Sequence, residues 1–309
     1  DFFYSLSSYE NKKDYYLNYG LKDKIFLQQS AKMIEQLPQP FYTKIITVTN
    51  HYPYPLDKED QTIEKTTTGD KTVDGYVQTA HYLDQALGEF ITWLKESGLY
   101  DNSMIVMYGD HYGISGNHKE ASAKLLGKET FNNFDDLQFQ RVPFIIHMNG
   151  LQGGINHTYG GEIDVMPTIL NLLGVDDEGT IQFGSDMLAS NKNQTVTMRN
   201  GDFVTPVYTK VGSDYYETTT GKKISNPTQA QKEELASISN YATSELSLSD
   251  RVITGNLLRF YEPKWFKKVN VKDYSYKIAD MKKTLTEMQE KSKTSLIQQN
   301  NGTSLADKY

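Results

Sequence analysis

Three residues draw attention for their types and their places in the chain: His51, Asp110 and His111. A carboxylate followed directly by an imidazole offers one hard oxygen and one borderline nitrogen, the donor set of a divalent metal. Gly109 before the pair and Gly113 after it would let the backbone bend so that both side chains face one ion. The same two residues also suit a plain turn, with Asp110 capping it and His111 as its partner. His51 is either a structural histidine or a hydrogen-bonding and proton-moving group, since imidazole titrates near neutral pH. His118, His147 and His157 show no spacing that demands a ligand, and His81 reads as a partly exposed helix residue. Arg141 suits a phosphate clamp or an ordinary strand-edge cation. Asp164 reads as a helix N-cap.

The elements that must place these residues follow from periodicity. Ile25, Phe26, Ala31, Ile34 and Leu37 fit a helix that Pro38 and Pro40 stop. Phe41–Thr49 is β-branched and bounded by prolines, which reads as a buried strand ending just before His51. Val73, Tyr76, Val77, Ala80, Leu83, Leu87, Phe90, Ile91 and Leu94 recur at helical intervals up to Gly98. Ser103–Tyr108 and Val142–Met148 read as further strands. A strand, a long helix and a strand predict a βαβ unit with the first two strands parallel. His51 and Asp110–His111 would then leave one sheet edge within about 5–10 Å of each other. Asp164–Gly174 predicts a short helix. Short β-rich pieces from Thr195 to about Ser225 predict an antiparallel meander, with a helix following from about Thr228. The first twenty residues show no period and read as a connection. The stretch from Ile278 is polar and helical, and is expected to pack poorly.

Composition narrows the chemistry. The 309 residues contain no cysteine, which removes disulfides, zinc–thiolate sites and cysteine nucleophiles. The net charge of −7 disfavours nucleic acid as a partner. Between Glu262 and Lys283, however, seven lysines face three acidic residues, either a solvated helix face or a patch for anionic lipid or polymer. Tyrosine is abundant, at 22 residues, which suits both cores and wet surfaces. No apolar run is long enough to span a membrane.

The run Tyr76…Leu83-Asp84…Leu87-Gly88…Leu94…Gly98-Leu-Tyr-Asp-Asn-Ser103…Tyr108-Gly-Asp-His-Tyr-Gly113 resembles the sulfatase-type signature of the alkaline phosphatase superfamily. Arg141-Val-Pro-Phe and Ile163-Asp-Val-Met-Pro-Thr-Ile-Leu fit the same pattern. Thr49-Asn-His-Tyr-Pro53, Tyr108–Ile114, Arg199-Asn-Gly-Asp-Phe203 and Leu258-Arg-Phe-Tyr261 are similar, more narrowly, to the extracellular catalytic domain of the lipoteichoic acid synthase family, from about Tyr16 to about Tyr276.

The resemblance implies an α/β fold, a three-layer α/β/α sandwich lacking its N-terminal part. Residues 1–194 would be the C-terminal part of a sulfatase-like catalytic domain, 195–276 a small antiparallel β-plus-helix subdomain, and 277–309 a polar helical tail. It implies one Mn²⁺ (with Mg²⁺ or another divalent ion as alternatives), of which Asp110 and His111 match two ligands. His51 matches a histidine that contacts the glycerol phosphate group. The family also uses a glutamate ligand, a nucleophilic threonine and a phosphate-gripping His/Trp/Arg cluster. These are expected upstream of Asp1, because no threonine here lies in a matching context.

The implied reaction builds the lipoteichoic acid backbone. The activated threonine attacks phosphatidylglycerol, diacylglycerol leaves, and the polymer's terminal hydroxyl then displaces the threonine. The 309-residue chain alone is expected to be inactive. The implied partners are phosphatidylglycerol, a glycerol phosphate polymer on a glycolipid anchor, and the membrane surface, with no nucleic acid and no obligate protein partner. The implied location is the outer face of a Gram-positive cell membrane, anchored by a transmembrane region outside this chain or released by proteolysis. Alternatives are another superfamily phosphodiesterase, phosphoethanolamine transferase or sulfatase, or a non-catalytic polymer- or lipid-binding module. Zero cysteine disfavours a cysteine-derived sulfatase nucleophile and leaves a serine-derived one open.

Overall fold

The computed structural model describes residues 1–12, 15–17 and 19–308. Lys13, Asp14 and Asn18, in the stretch read as a connection, and Tyr309, at the end of the tail, lie outside the described residues. In chain order the elements begin with a hairpin, β1 (Tyr16–Leu17) and β2 (Gly20–Leu21), then helices α1 (Asp23–Ile34) and α2 (Lys71–Glu96). Strand β3 (Ile105–Tyr108), short helices α3 (Lys119–Leu125) and α4 (Asn133–Gln138), strand β4 (Phe144–His147) and helix α5 (Val165–Leu172) follow. Strands β5 (Val196–Thr197), β6 (Phe203–Val204), β7 (Tyr208–Val211) and β8 (Asp214–Glu217) lead into α6 (Gln229–Thr254), α7 (Ile278–Ser292) and α8 (Leu296–Gln299).

The chain divides into two compact units. One comprises residues 1–131, 139–151 and 269–309, and the other 132–138 and 152–268. The first unit is built on α1 and α2. Asp70 caps α2 by accepting from the backbone N–H of Thr72 and Val73, at 2.8 and 3.2 Å. Of the predicted stripe only Val73 and Leu94 are fully buried and the rest is half-buried, while Tyr82, Ala86 and Trp93, outside that stripe, are buried beside them. Trp93 and Leu94 join Ala31 and Ile34 of α1 with Leu99, Leu296 and Ala306 in one core cluster. Those last two residues correct the expectation of a poorly packed tail. Glu35, fully buried, explains how it docks: its Oε1 accepts from Trp93 Nε1 and from the N–H groups of Leu305 and Ala306, each at 3.0 Å.

The strand reading needs a second correction. Residues 41–48 are half-buried or exposed, with Phe41 and Ile45 against the core cluster, and they join no ladder among the described residues, so no parallel pair forms with β3. Strand β3 pairs antiparallel with β4 instead, from Ile105↔His147 to Tyr108↔Phe144. The physical reason lies in the connection: it leaves the C-terminal end of β3 and returns to the N-terminal end of β4 at the same edge, so its helices are no crossover. Within the stretch read as a connection, Tyr16–Leu17 pairs antiparallel with Gly20–Leu21.

The second unit holds the predicted meander as an antiparallel sheet in the order β5-β6-β7-β8. Phe203 and Tyr208 pack against Leu235 and Ala242 of α6. Thr228 and Gln231 start α6 with a reciprocal capping box. Asp164 precedes α5, but its carboxylate does not cap that helix. It accepts from the N–H groups of Gly161 and Ser185 and pairs with the buried Lys192 Nζ at 2.8 Å, so it is a buried hub rather than an N-cap.

Candidate functional site

His51 is positioned from both sides of its turn. Asp23, fully buried at the start of α1, accepts from the N–H of Val48 at 2.9 Å and of Thr49 at 3.1 Å. Thr49 Oγ1 returns the contact by accepting from Asp23 N at 2.8 Å. Burial pushes the Asp23 carboxyl above its ordinary range, although these hydrogen bonds work in the opposite direction. Asn50 is held to α2, where the buried Thr79 hydroxyl donates to its Oδ1 at 2.8 Å. The residues on either side of His51 are thus fixed to α1, α2 and a tight turn, in which Tyr54 N donates to His51 O at 2.9 Å.

The Asp110–His111 loop is fixed by close backbone approach. Gly109 continues the β3–β4 ladder by donating to Pro143 O at 3.1 Å. A Cβ there would lie 2.9 Å from Val142 Cβ. At Gly113 a Cβ would lie 2.5 Å from Tyr76 Cε2, so only glycine fits against α2. The Tyr54 hydroxyl donates to the Gly113 carbonyl, and burial pushes its pKa up to about 12, which keeps it a donor. Ile114 then enters the core beside Val73 and Ala121.

These supports bring His51 and His111 together, with ring centroids 5.4 Å apart and planes perpendicular. His51 Nδ1 lies 2.9 Å from Tyr52 O, and His111 Nδ1 lies 2.8 Å from Tyr112 O. A carbonyl only accepts, so each Nδ1 carries a proton, and in the neutral ring each Nε2 is then the nitrogen with the lone pair. Asp110 Oδ1 is 3.8 Å from His111 Nε2, with both side chains exposed. That is too long for a hydrogen bond and leaves both atoms open to a common ligand. The donor set therefore fits a divalent ion as two ligands. Among the described residues, no group of three or more His, Cys, Asp or Glu is arranged to hold one.

Three of the other four histidines are committed elsewhere, and His157 is exposed outside this site. His118 Nδ1 lies 2.7 Å from Asp70 Oδ2, and this bond is the main cause holding the Asp70 carboxyl below its usual value. His147 stacks on Tyr100. His81 is half-buried on α2, with Nε2 3.1 Å from Gln85 Nε2. Arg141 is exposed before β4. Sequence reasoning missed Tyr19, whose ring meets His51 edge-on at 4.8 Å, since no period marks the hairpin that carries it.

The sulfatase family profile matches residues 1–175. The chain belongs to the sulfatase family. This sulfatase-family chain is 48% identical over 276 residues to lipoteichoic acid synthase 2 of Bacillus subtilis, covering 89% of its own length and 42% of that protein. It is 47% identical over 278 residues to the lipoteichoic acid synthase of Staphylococcus aureus, again with 89% and 42% covered. The chain thus spans less than half the length of these curated relatives. The crystal structure of the lipoteichoic acid synthase LtaP from Listeria monocytogenes matches with a TM-score of 0.65 and 27% identity, over 80% of this chain and 62% of that one. A protein of the alkaline phosphatase superfamily from Vibrio parahaemolyticus matches with a TM-score of 0.62 at 18% identity, over 84% and 60%, which speaks for the fold alone. The fold is α/β, as the motifs imply.

Proposed function

We propose that this chain carries part of the active centre of a glycerol phosphate transferase, which builds the lipoteichoic acid backbone from phosphatidylglycerol and releases diacylglycerol. The observation that carries the reading is the meeting of His51 with Asp110–His111, each imidazole presenting a free Nε2. Nearly half of the residues are shared with lipoteichoic acid synthases over most of the chain, which supports the substrate class.

Asp110 and His111 would hold a divalent ion, Mn²⁺ in this reading, together with further ligands. Bound there, the ion supplies positive charge for the phosphate oxygens and for an ionising hydroxyl. In the first transfer a threonine oxygen bonds to the lipid phosphorus, and the bond from phosphorus to the diacylglycerol oxygen breaks. In the second, the terminal hydroxyl of the polymer bonds to phosphorus and the threonine oxygen leaves. His51 lies beside this path. Its neutral Nε2 accepts the hydroxyl proton of the attacking polymer end, and its protonated form donates to a leaving or non-bridging oxygen. The Nδ1 bond to Tyr52 O keeps that nitrogen aimed. Tyr19 flanks the same ring and limits its swing.

The test uses the full-length protein with vesicles containing phosphatidylglycerol. Mn²⁺-dependent release of diacylglycerol is expected, lost on Asp110→Ala or His111→Ala. Absence of release, or release of another headgroup's alcohol instead, would overturn the reading.

A further inference from the structure

Away from the histidines, the segment after α6 presents an unusual surface. Phe260, Trp265 and Phe266 are 75%, 57% and 50% exposed, and Leu258 is exposed beside them. Large apolar groups gathered this way on a surface mark a binding face. Between Leu258 and Lys268 they alternate with Arg259, Lys264, Lys267 and Lys268 against a single carboxylate, Glu262. The whole chain is acidic, so this cluster runs against its net charge of −7. Lys268 lies 3.7 Å from Glu262, and the other three cations exceed what that carboxylate can balance.

The segment is rooted rather than loose. The Tyr261 hydroxyl donates to Gly179 O at 2.7 Å, and Phe266 N donates to Pro263 O at 2.9 Å. The Trp265 and Phe266 rings meet edge-on at 6.2 Å. Rooted aromatic rings with lysines between them have the chemistry of a lipid headgroup layer: rings settle at the apolar boundary and cations face the phosphates. A soluble polyanion would engage the cations and leave Phe260 and Phe266 in water.

We infer that residues 258–268 dock on an anionic lipid surface, with Phe260, Trp265 and Phe266 entering the headgroup layer and Arg259, Lys264, Lys267 and Lys268 facing lipid phosphates. This deepens the proposed function by giving the transferase its own grip on the membrane, and it rests on that reading only for the source of the lipid.

The chain carries its own reporter, because it has two tryptophans and the other, Trp93, is buried. The 309-residue protein is mixed with vesicles of phosphatidylcholine alone, or with added phosphatidylserine or phosphatidylglycerol. Both anionic vesicles should shift Trp265 emission to the blue and expose it to quenching by brominated acyl chains, and neutral vesicles should not. Phe260→Ser with Phe266→Ser should lower the partition by about tenfold or more. Lys264→Glu with Lys267→Glu should do the same and remove most of the salt dependence.

No shift with either anionic vesicle overturns the inference. So does a shift reproduced by a soluble glycerol phosphate polymer without bromolipid quenching, which would show a polymer site. Binding confined to phosphatidylglycerol and lost on His51→Ala would show only the headgroup site. Phosphatidylserine cannot donate glycerol phosphate, so the two readings fail separately. The docking falls if vesicles are not bound while the full-length protein still releases diacylglycerol from detergent micelles, and the transferase falls in the reverse case.

Discussion

Asp23 and Asp110 frame the same pair of histidines and are built as opposites. Asp23 is fully buried, and its oxygens accept from Val48 and Thr49. The Asp110 side chain is 78% exposed, and its Oδ1 lies 3.8 Å from His111 Nε2, too far for a hydrogen bond. The histidines divide in the same way. His118 gives Nδ1 to Asp70, a carboxylate that already caps α2. His51 and His111 give Nδ1 to neighbouring carbonyls and keep Nε2 open. The polar atoms that hold the fold are paired with other groups of the protein, and those that could meet a ligand are exposed and unspent. The loops carrying the second kind are stiffened by the first.

Glu35→Ala attacks the fold-holding class most severely, through the Oε1 atom. It leaves the Trp93, Leu305 and Ala306 donors without an acceptor, and should cost about 3 kcal/mol or more. Glu35→Gln, which retains an acceptor, should cost less. Chemical denaturation of the 309-residue chain measures both, and equal stability of the three forms would break the comparison. Asp110→Ala and His111→Ala attack the other class. In the full-length protein each should lower diacylglycerol release by about 100-fold or more, equivalent to about 2.7 kcal/mol of barrier. Melting temperatures should stay within about 2 °C, since neither residue is buried. A large loss of stability would move them to the structural class.

Gly113→Ala tests the link between the two. Its new Cβ, 2.5 Å from Tyr76, should displace the loop and reduce activity by about tenfold while the chain remains folded. The smallest effect is in pH dependence, and the two carboxylates at helix starts should differ in sign. Asp70 is held below its ordinary value of 3.8, so its contribution is complete above that pH and is lost as pH falls through the lowered folded value. Asp23 is raised above 3.8, so the folded state binds its proton first. Its ionisation then opposes folding as pH rises from 3.8 through the raised value. Asp70→Asn should therefore flatten part of the acid loss of melting temperature, and Asp23→Asn should remove a trend of opposite slope. Matching slopes for the two variants would refute the assignment.

Much of this architecture is legible in the residues alone. The periods of Ile25–Ile34 and Val73–Leu94 match α1 and α2, and the signals around Thr228 match the start of α6. The meeting of His51 with Asp110–His111 is also legible, but for a different reason. The pattern predicts a parallel sheet edge, and the structure uses Asp23, Thr79 and Gly113 contacts instead. The β-branched run 41–49 shows only a preference for extended backbone, because strand propensity carries no information about a ladder partner. The C-terminal stretch hides its packing. Met281, Leu296 and Ala306 lie in a polar stretch with at most one apolar neighbour each, and the burial of the last two depends on helices hundreds of positions earlier. The loop at 258–268 is visible in the sequence as lysines, whereas the exposure of its rings depends on the fold around it.

The Glu35 clamp sets an order for synthesis. Two of its three donors lie 270 and 271 residues after the acceptor oxygen. A chain emerging from N- to C-terminus must carry α1 and α2 with that carboxylate short of partners until all of residues 152–268 have been produced. The first unit can therefore close only once Ala306 has emerged, whereas the second can fold on the way. Removing residues 305–309 would leave the first unit waiting in that open state, a target for surveillance proteases.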